Sequence, residues 1–312
     1  MHFFARLLLP ILLAVCMALT AAADLCAEVR IGVIMTGDIP YYQAMHKSFV
    51  EELTQQLGSR QKVEIIVQKP FPNPISWSNA ARKLIAFDVN LMVTYGWPAT
   101  AAALHEKSTI PLIYAGVHEP DHAAMAGKNV TGCGYKVPLS SIVRYLKNLK
   151  SFQTLGVLYS SIEEDSVRQY EAIRGLAGQQ GILTRKIDIR SRNDLAQLKE
   201  HSPDAVFITG SSLTHLWIEE ILALLGQKKI PAADILPHPP ESEVLMTLSH
   251  PPQPQGRMAA EMAGQILAGV SPGSIAAHTF RETELVFHQG AARSLGINFP
   301  IHLLIEATRV VR

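Results

Sequence analysis

The chain is poor in the residues from which disulfide scaffolds and metal clusters are built. It has three cysteines in 312 residues, and its 12 histidines are scattered without the Cys/His spacing of a zinc site. No surplus of one charge is present either: Lys plus Arg total 28 against 27 Asp plus Glu, a net charge of +1. A nucleic-acid partner is therefore not expected, because phosphate contacts need a basic excess on some face. Catalytic signatures are missing too. There is no GxSxG elbow, no GxGxxG after the first strand, no GxxxxGK[ST] and no HExxH. No catalytic residue, cofactor or metal is assigned, and the expectation is that the protein is not an enzyme.

Only one long hydrophobic run occurs, and it stands at the amino terminus. Arg6 leads into an apolar stretch over 7–23 that ends in small residues, shorter than the roughly 20 residues that cross a bilayer. Residues 1–27 read as a cleaved signal peptide that exports the chain to the periplasm. Cleavage after Ala23 or after Ala27 fits, and Ala27 is preferred because Val29 already begins a strand. Cys16 leaves with the leader. Cys26 leaves as well if the cut follows Ala27, which makes Cys133 a lone buried thiol; a cut after Ala23 would permit a Cys26 to Cys133 bridge.

About 285 residues remain, enough for two ordinary domains. Short apolar runs rich in β-branched residues, at 29–35, 62–68, 90–96 and 110–117, alternate with segments of helical spacing at 43–58, 76–86 and 98–107. A second series follows Pro138: apolar runs at 154–160, 182–189, 204–210 and 243–250 alternate with helices at 139–149, 163–179, 193–200 and 212–227. The long helix at 256–270, the strand ELVFH at 284–288 and a final amphipathic segment complete it. Strands with little polar alternation, separated by single helices, predict parallel sheets covered on both faces. Two such halves form an α/β protein of two Rossmann-like lobes with a central ligand cleft.

Ligands of open parallel sheets lie outside the carboxyl ends of the strands, which selects the loops 37–42, 96–99, 117–120, 160–165 and 210–214. Gly96, Trp97, Pro98 and Ala99 open a helix whose free amides suit an anion, and Trp97 could cover a ring. Ser160, Ser161, Ser211 and Ser212 offer hydroxyls, and are equally ordinary helix caps. Glu119, Glu164 and Asp165 could receive an ammonium, although acids there also favour a helix start. Tyr41 and Tyr42, next to Asp38, are candidates for flat contacts or for core packing. His118 and His238 could donate to ligand oxygens.

The segments YGWPATAA (95–102), IPLIYAGVHEPDHAAM (110–125), NVTG (129–132), KIPAAD (229–234), GRMAAEMAGQILAGVSPG (256–273) and ELVFHQGAARSLGINFP (284–300) resemble the type I periplasmic solute-binding proteins of ABC transporters, in particular a subgroup that includes aromatic amino acid binders. The resemblance covers nearly the whole mature chain. It implies one lobe of 28–136 plus 251–277 and another of 137–250 plus 278–312, joined by three crossing strands. Tyr41, Trp97, Glu119, Ser160 and Ser211 would then face the ligand. Glu119 stands where the family often has Asp, and Trp97 is bulkier than the common small residue. Asn129 to Thr131 also form an Asn-X-Thr triplet, read here as turn chemistry. The expected function is capture of a small organic ligand, an amino acid or aromatic compound, for an inner-membrane ABC permease; a ligand-sensing subunit of a signalling system is the alternative.

Overall fold

A computed structural model describes residues 28–58, 62–125, 129–200 and 202–312. The leader, with Cys16 and Cys26, lies outside them. Cys133 is a free, buried thiol. No helix among the described residues is long and apolar enough to cross a membrane.

The first sheet is parallel throughout. It contains β1 (Val29–Met35), β2 (Val63–Gln68), β3 (Leu91–Tyr95), β4 (Leu112–His118), β5 (Val130–Tyr135) and β11 (His278–Phe280), in the order β11-β5-β4-β3-β1-β2. The second contains β6 (Thr154–Tyr159), β7 (Leu183–Asp188), β8 (Ala205–Ile208), β9 (Ala232–Asp234), β10 (Met246–Ser249), β12 (Glu284–His288) and β13 (Arg309–Val311), in the order β13-β12-β10-β9-β8-β6-β7. Only the β10–β12 pair is antiparallel. This is the two-lobed α/β architecture of type I periplasmic binding proteins. The chain passes between the sheets three times, after β5, after β10 and after β11.

Burial explains why the strands carry so little polar alternation. In β1, Ile31, Val33 and Met35 join a core shared with the helices Pro40–Leu57 and Pro252–Leu267, while Ile34 points into a second cluster under the helices Pro74–Ala86 and Trp97–His105. In the second sheet Leu158 and Ile208 pack in the same way into a cluster with Ile221 and Leu225 of the helix Ile218–Gln227. With both faces under helices, a polar residue on either would lose its hydration without gaining a partner.

Four expectations need correction. Of residues 129–132, read as a turn, 130–132 begin a wholly buried strand, β5, with Asn129 exposed just before it; the two glycines of VTGCGY disguise its propensity. His278–Phe280, expected with the second lobe, pairs with Cys133–Tyr135 in the first sheet, so the chain crosses after Phe280. The helix expected over 212–227 is two, Ser212–His215 and Ile218–Gln227, because the Trp217 amide bonds to the Thr214 carbonyl and Trp217 leaves helical geometry. The segment 193–200 begins as a 3₁₀ turn, Arg192–Ala196, capped by Ser191 and Asp194.

Candidate functional site

The loops at the carboxyl ends of the two sheets meet. The Trp97 indole nitrogen of the first lobe donates to Glu164 Oε2 of the second at 2.8 Å. The Arg168 guanidinium bonds Glu164 Oε1 at 2.7 Å and lies 5.6 Å from the Trp97 ring centre. The rings of Phe71 and Trp217 approach to 6.5 Å, and Gly37 abuts Ser212. The lobes are therefore closed against each other.

On the first lobe, Thr36 ties the ends of two strands together: its hydroxyl donates to the Tyr95 carbonyl at 2.7 Å and accepts the Ala99 amide at 3.2 Å. Gly96 has φ of 88°, a left-handed conformation, and a side chain there would strike the Tyr42 hydroxyl. Glycine is thus required both for the backbone turn and for Tyr42. The helix Trp97–His105 opens immediately after it with Pro98 in the first turn, and the first amide, on Trp97, has no acceptor within the helix. Tyr41, Tyr42 and Tyr135 are buried, with ring centres 5.5 Å apart for Tyr41–Tyr42 and 6.1 Å for Tyr41–Tyr135. Gln255 donates to the Tyr41 hydroxyl at 2.8 Å. His118 meets the Tyr135 ring edge-on at 5.4 Å, and its Nε2 is buried without a hydrogen-bond partner. Burial, outweighing the pull of Glu119, lowers its pKa to about 4, so the ring is neutral.

On the second lobe, three successive acids take three positions. Glu163 is buried and accepts the Ser211 hydroxyl at 2.7 Å, the Ser212 amide at 2.8 Å and the Leu213 amide at 2.8 Å. It thereby caps the helix Ser212–His215 from outside. Glu164 faces solvent at the mouth. Asp165 is 5% exposed and forms no ion pair among the described residues. It lies within electrostatic reach of Tyr42 and Tyr135. Burial first, and then the neighbouring Glu163 carboxyl, push its pKa up to about 7. The Ser212 and Thr214 hydroxyls are also buried and unpartnered.

Tyr41, Tyr42, Gly96, Trp97, Pro98, Ala99 and Ser211 are brought to this region, with Glu164 at its rim; Ser160 is buried at the end of β6, its amide donating to Ser166 Oγ and its hydroxyl accepting the Ile162 amide. Three other candidates point elsewhere. Asp38 is bound by Gln43 at 2.7 Å and Lys69 at 3.0 Å. Glu119 pairs with Lys136 at 2.7 Å on the surface, and Ser161 is exposed with its amide on Asp188. Ser211 is present but occupied as a cap, donating to Glu163 and accepting the Thr214 amide. Glu163 and Tyr135 were not singled out by the sequence; the only hint for Glu163 was the run of three acids at a strand end. Chemically, an interior carboxyl without an ion-pair partner, a helix amino terminus and a wall of aromatic rings can hold a molecule that carries an ammonium, an anion and an apolar body.

Residues 30–311 match the family described as ABC transporter substrate binding protein, and the chain belongs to that family. Its members are extracytoplasmic solute-binding components of ABC importers that hold a small ligand between two lobes. A tyrosine-binding protein of Clostridioides difficile (strain R20291) is 20% identical over 277 residues, spanning 85% of this chain and 80% of that one. The crystal structure of an ABC domain in complex with L-Trp from Streptococcus pneumonia is 22% identical, covers 91% of this chain and 100% of its own, and superposes with a TM-score of 0.84. A ligand-free, open substrate-binding protein with adhesive properties from Clostridium difficile is 21% identical, covering 91% and 99%, with a TM-score of 0.63.

Proposed function

We propose that the protein is exported by its cleaved leader and captures an aromatic α-amino acid in the periplasm for delivery to an inner-membrane permease. The observation that carries this reading is Asp165, an interior carboxyl that forms no ion pair among the described residues and feels the charge of Arg168 only through space, across from the helix that begins at Trp97. The ligand ammonium supplies the missing ion-pair partner. Its carboxylate takes the Trp97 amide at the start of that helix, where the dipole favours an anion, and its ring packs among Tyr42, Tyr135 and Trp97. The unpartnered Ser212, Thr214 and His118 atoms offer further polar contacts. The tyrosine and tryptophan named for the two relatives agree with this chemistry.

Closure follows from the same contacts. A ligand bridging both walls stabilises the closed state through its differential affinity for it, and the closed surface is what a permease would recognise. The test is a thermal-shift screen of the twenty L-amino acids with polyols and sugars as comparators. An aromatic amino acid should raise the melting temperature by mass action, and a response to polyols alone would exclude the proposal.

A further inference from the structure

A second group of side chains adjoins the aromatic wall, in a cavity that Tyr41 also lines. Asp234 closes β9 fully buried, and its Oδ2 lies 3.0 Å from His215 Nε2 and 2.8 Å from His238 Nε2. The three ligand atoms all fall within 4.8 Å of one another. The opposite ring nitrogens are fixed as well: His215 Nδ1 is 2.7 Å from the Ser211 carbonyl oxygen, and His238 Nδ1 is 3.0 Å from Ser242 Oγ. Asp234 Oδ1 accepts the Leu236 amide at 2.9 Å. Imidazoles oriented through their far nitrogens onto a shared focus are the arrangement that outer hydrogen bonds impose on metal-ligating histidines.

We propose that His215, Asp234 and His238 bind a divalent transition metal, with zinc the best fit for two imidazoles and one carboxylate. Tetrahedral zinc at 2.0–2.2 Å from each ligand sets neighbouring ligand atoms roughly 3.3 Å apart, so the Asp234–His215 and Asp234–His238 distances of 3.0 and 2.8 Å must open by a few tenths of an ångström, and the two imidazole nitrogens, which lie within 4.8 Å of each other, must come to the same spacing. A cavity of ≈ 410 Å³ opens onto both imidazoles. Glu219, Glu241 and Glu243 line it, and neither Lys nor Arg does among the described residues. It therefore supplies an entrance, a negative approach for a cation and room for water as a fourth ligand.

The test titrates zinc chloride into tag-free, chelator-stripped protein by calorimetry at pH 7. The expected result is one saturable ion per chain. Affinity should fall at least about tenfold in His238→Ala and by about tenfold in Ser242→Ala, which keeps all three ligands and removes the outer hydrogen bond together with the acceptor of the Val244 amide. X-ray absorption of the wild-type complex should show a nitrogen and oxygen shell with imidazole scattering, and needs no variant. Absence of saturable binding, unchanged affinity in folded His238→Ala, or a spectrum without imidazole would each overturn the assignment.

Discussion

Glu164 and Asp165 are neighbours in the chain and face opposite ways. Glu164 points to solvent and takes the Trp97 indole at 2.8 Å, whereas Asp165 turns inward and is buried beside Glu163. The first helical turn rotates one side chain by about 100° from the next, which is enough to put one acid on the rim and the other in the cleft.

Asp165 makes the ligand-free protein sensitive to pH. Its folded pKa is raised to about 7 by burial and by Glu163, above the ordinary carboxyl value near 3.9, so the folded state holds the proton more tightly. Stability is therefore highest below the unfolded value and declines as pH rises toward 7, with the full penalty present above it. Asp165→Asn should flatten this part of the profile and raise the melting temperature at pH 8, read by calorimetry with and without the substitution.

For ligand binding the sign reverses. An ammonium requires the ionised carboxylate, so affinity for an amino acid should increase between pH 6 and 8, by up to about tenfold per unit below the pKa. In Asp165→Asn affinity should fall by about a hundredfold, because a charged hydrogen-bonded partner inside a desolvated site is lost. Titrations at three pH values separate the two effects.

Trp97 and Glu164 bridge the lobes where water competes. Exposed ionic contacts contribute little, about 0.2–1 kcal/mol, so Glu164→Ala should weaken ligand binding by no more than about fivefold. Trp97→Ala, which also removes ring contact with the ligand, should cost at least about tenfold. Both variants should keep the wild-type circular dichroism spectrum, and equal affinity of Trp97→Ala and wild type would remove Trp97 from the site.

Ser211 separates capping from recognition. Its hydroxyl donates to Glu163 and accepts the Thr214 amide, leaving little for a ligand. Ser211→Ala should destabilise the fold by roughly 1–2 kcal/mol while changing the ligand dissociation constant less than about twofold. Denaturant melts and calorimetry on the same preparation give both numbers.

The tightest helix contact predicts the largest packing effect. A side chain at Gly256 would run into the backbone carbonyl of Met45, where Pro252–Leu267 lies on Pro40–Leu57. Backbone cannot move aside as a side chain can, so Gly256→Ala should lose roughly 1–3 kcal/mol, measured as a lower midpoint of urea unfolding.

The strands were legible because burial on both faces writes itself as unbroken apolar runs such as VRIGVIM and TLGVLY. β5 escaped notice since its glycines lower strand propensity, and β9, β11 and β13, with three residues each, are too short for any periodicity. The loops of the site were legible for a topological reason, as the ends of parallel strands. Which side chain within a loop turns inward was not. Ser211 and Ser212 are both buried, yet only the hydroxyl of Ser212 is left unpartnered, and that difference depends on Glu163, 49 residues away from Ser212. His215, Asp234 and His238 were invisible as a group because His215 comes from a separate segment, 19 residues before Asp234.

The most direct test of the account is a calorimetric comparison of L-tyrosine and L-tryptophan with their des-amino analogues, 3-(4-hydroxyphenyl)propionate and indole-3-propionate, at pH 8. The account predicts that at least one of the amino acids binds and that its analogue, lacking only the ammonium, binds about a hundredfold more weakly. Equal affinity for acid and amino acid, or no binding of either amino acid, would contradict the role assigned to Asp165 and the ligand class built on it.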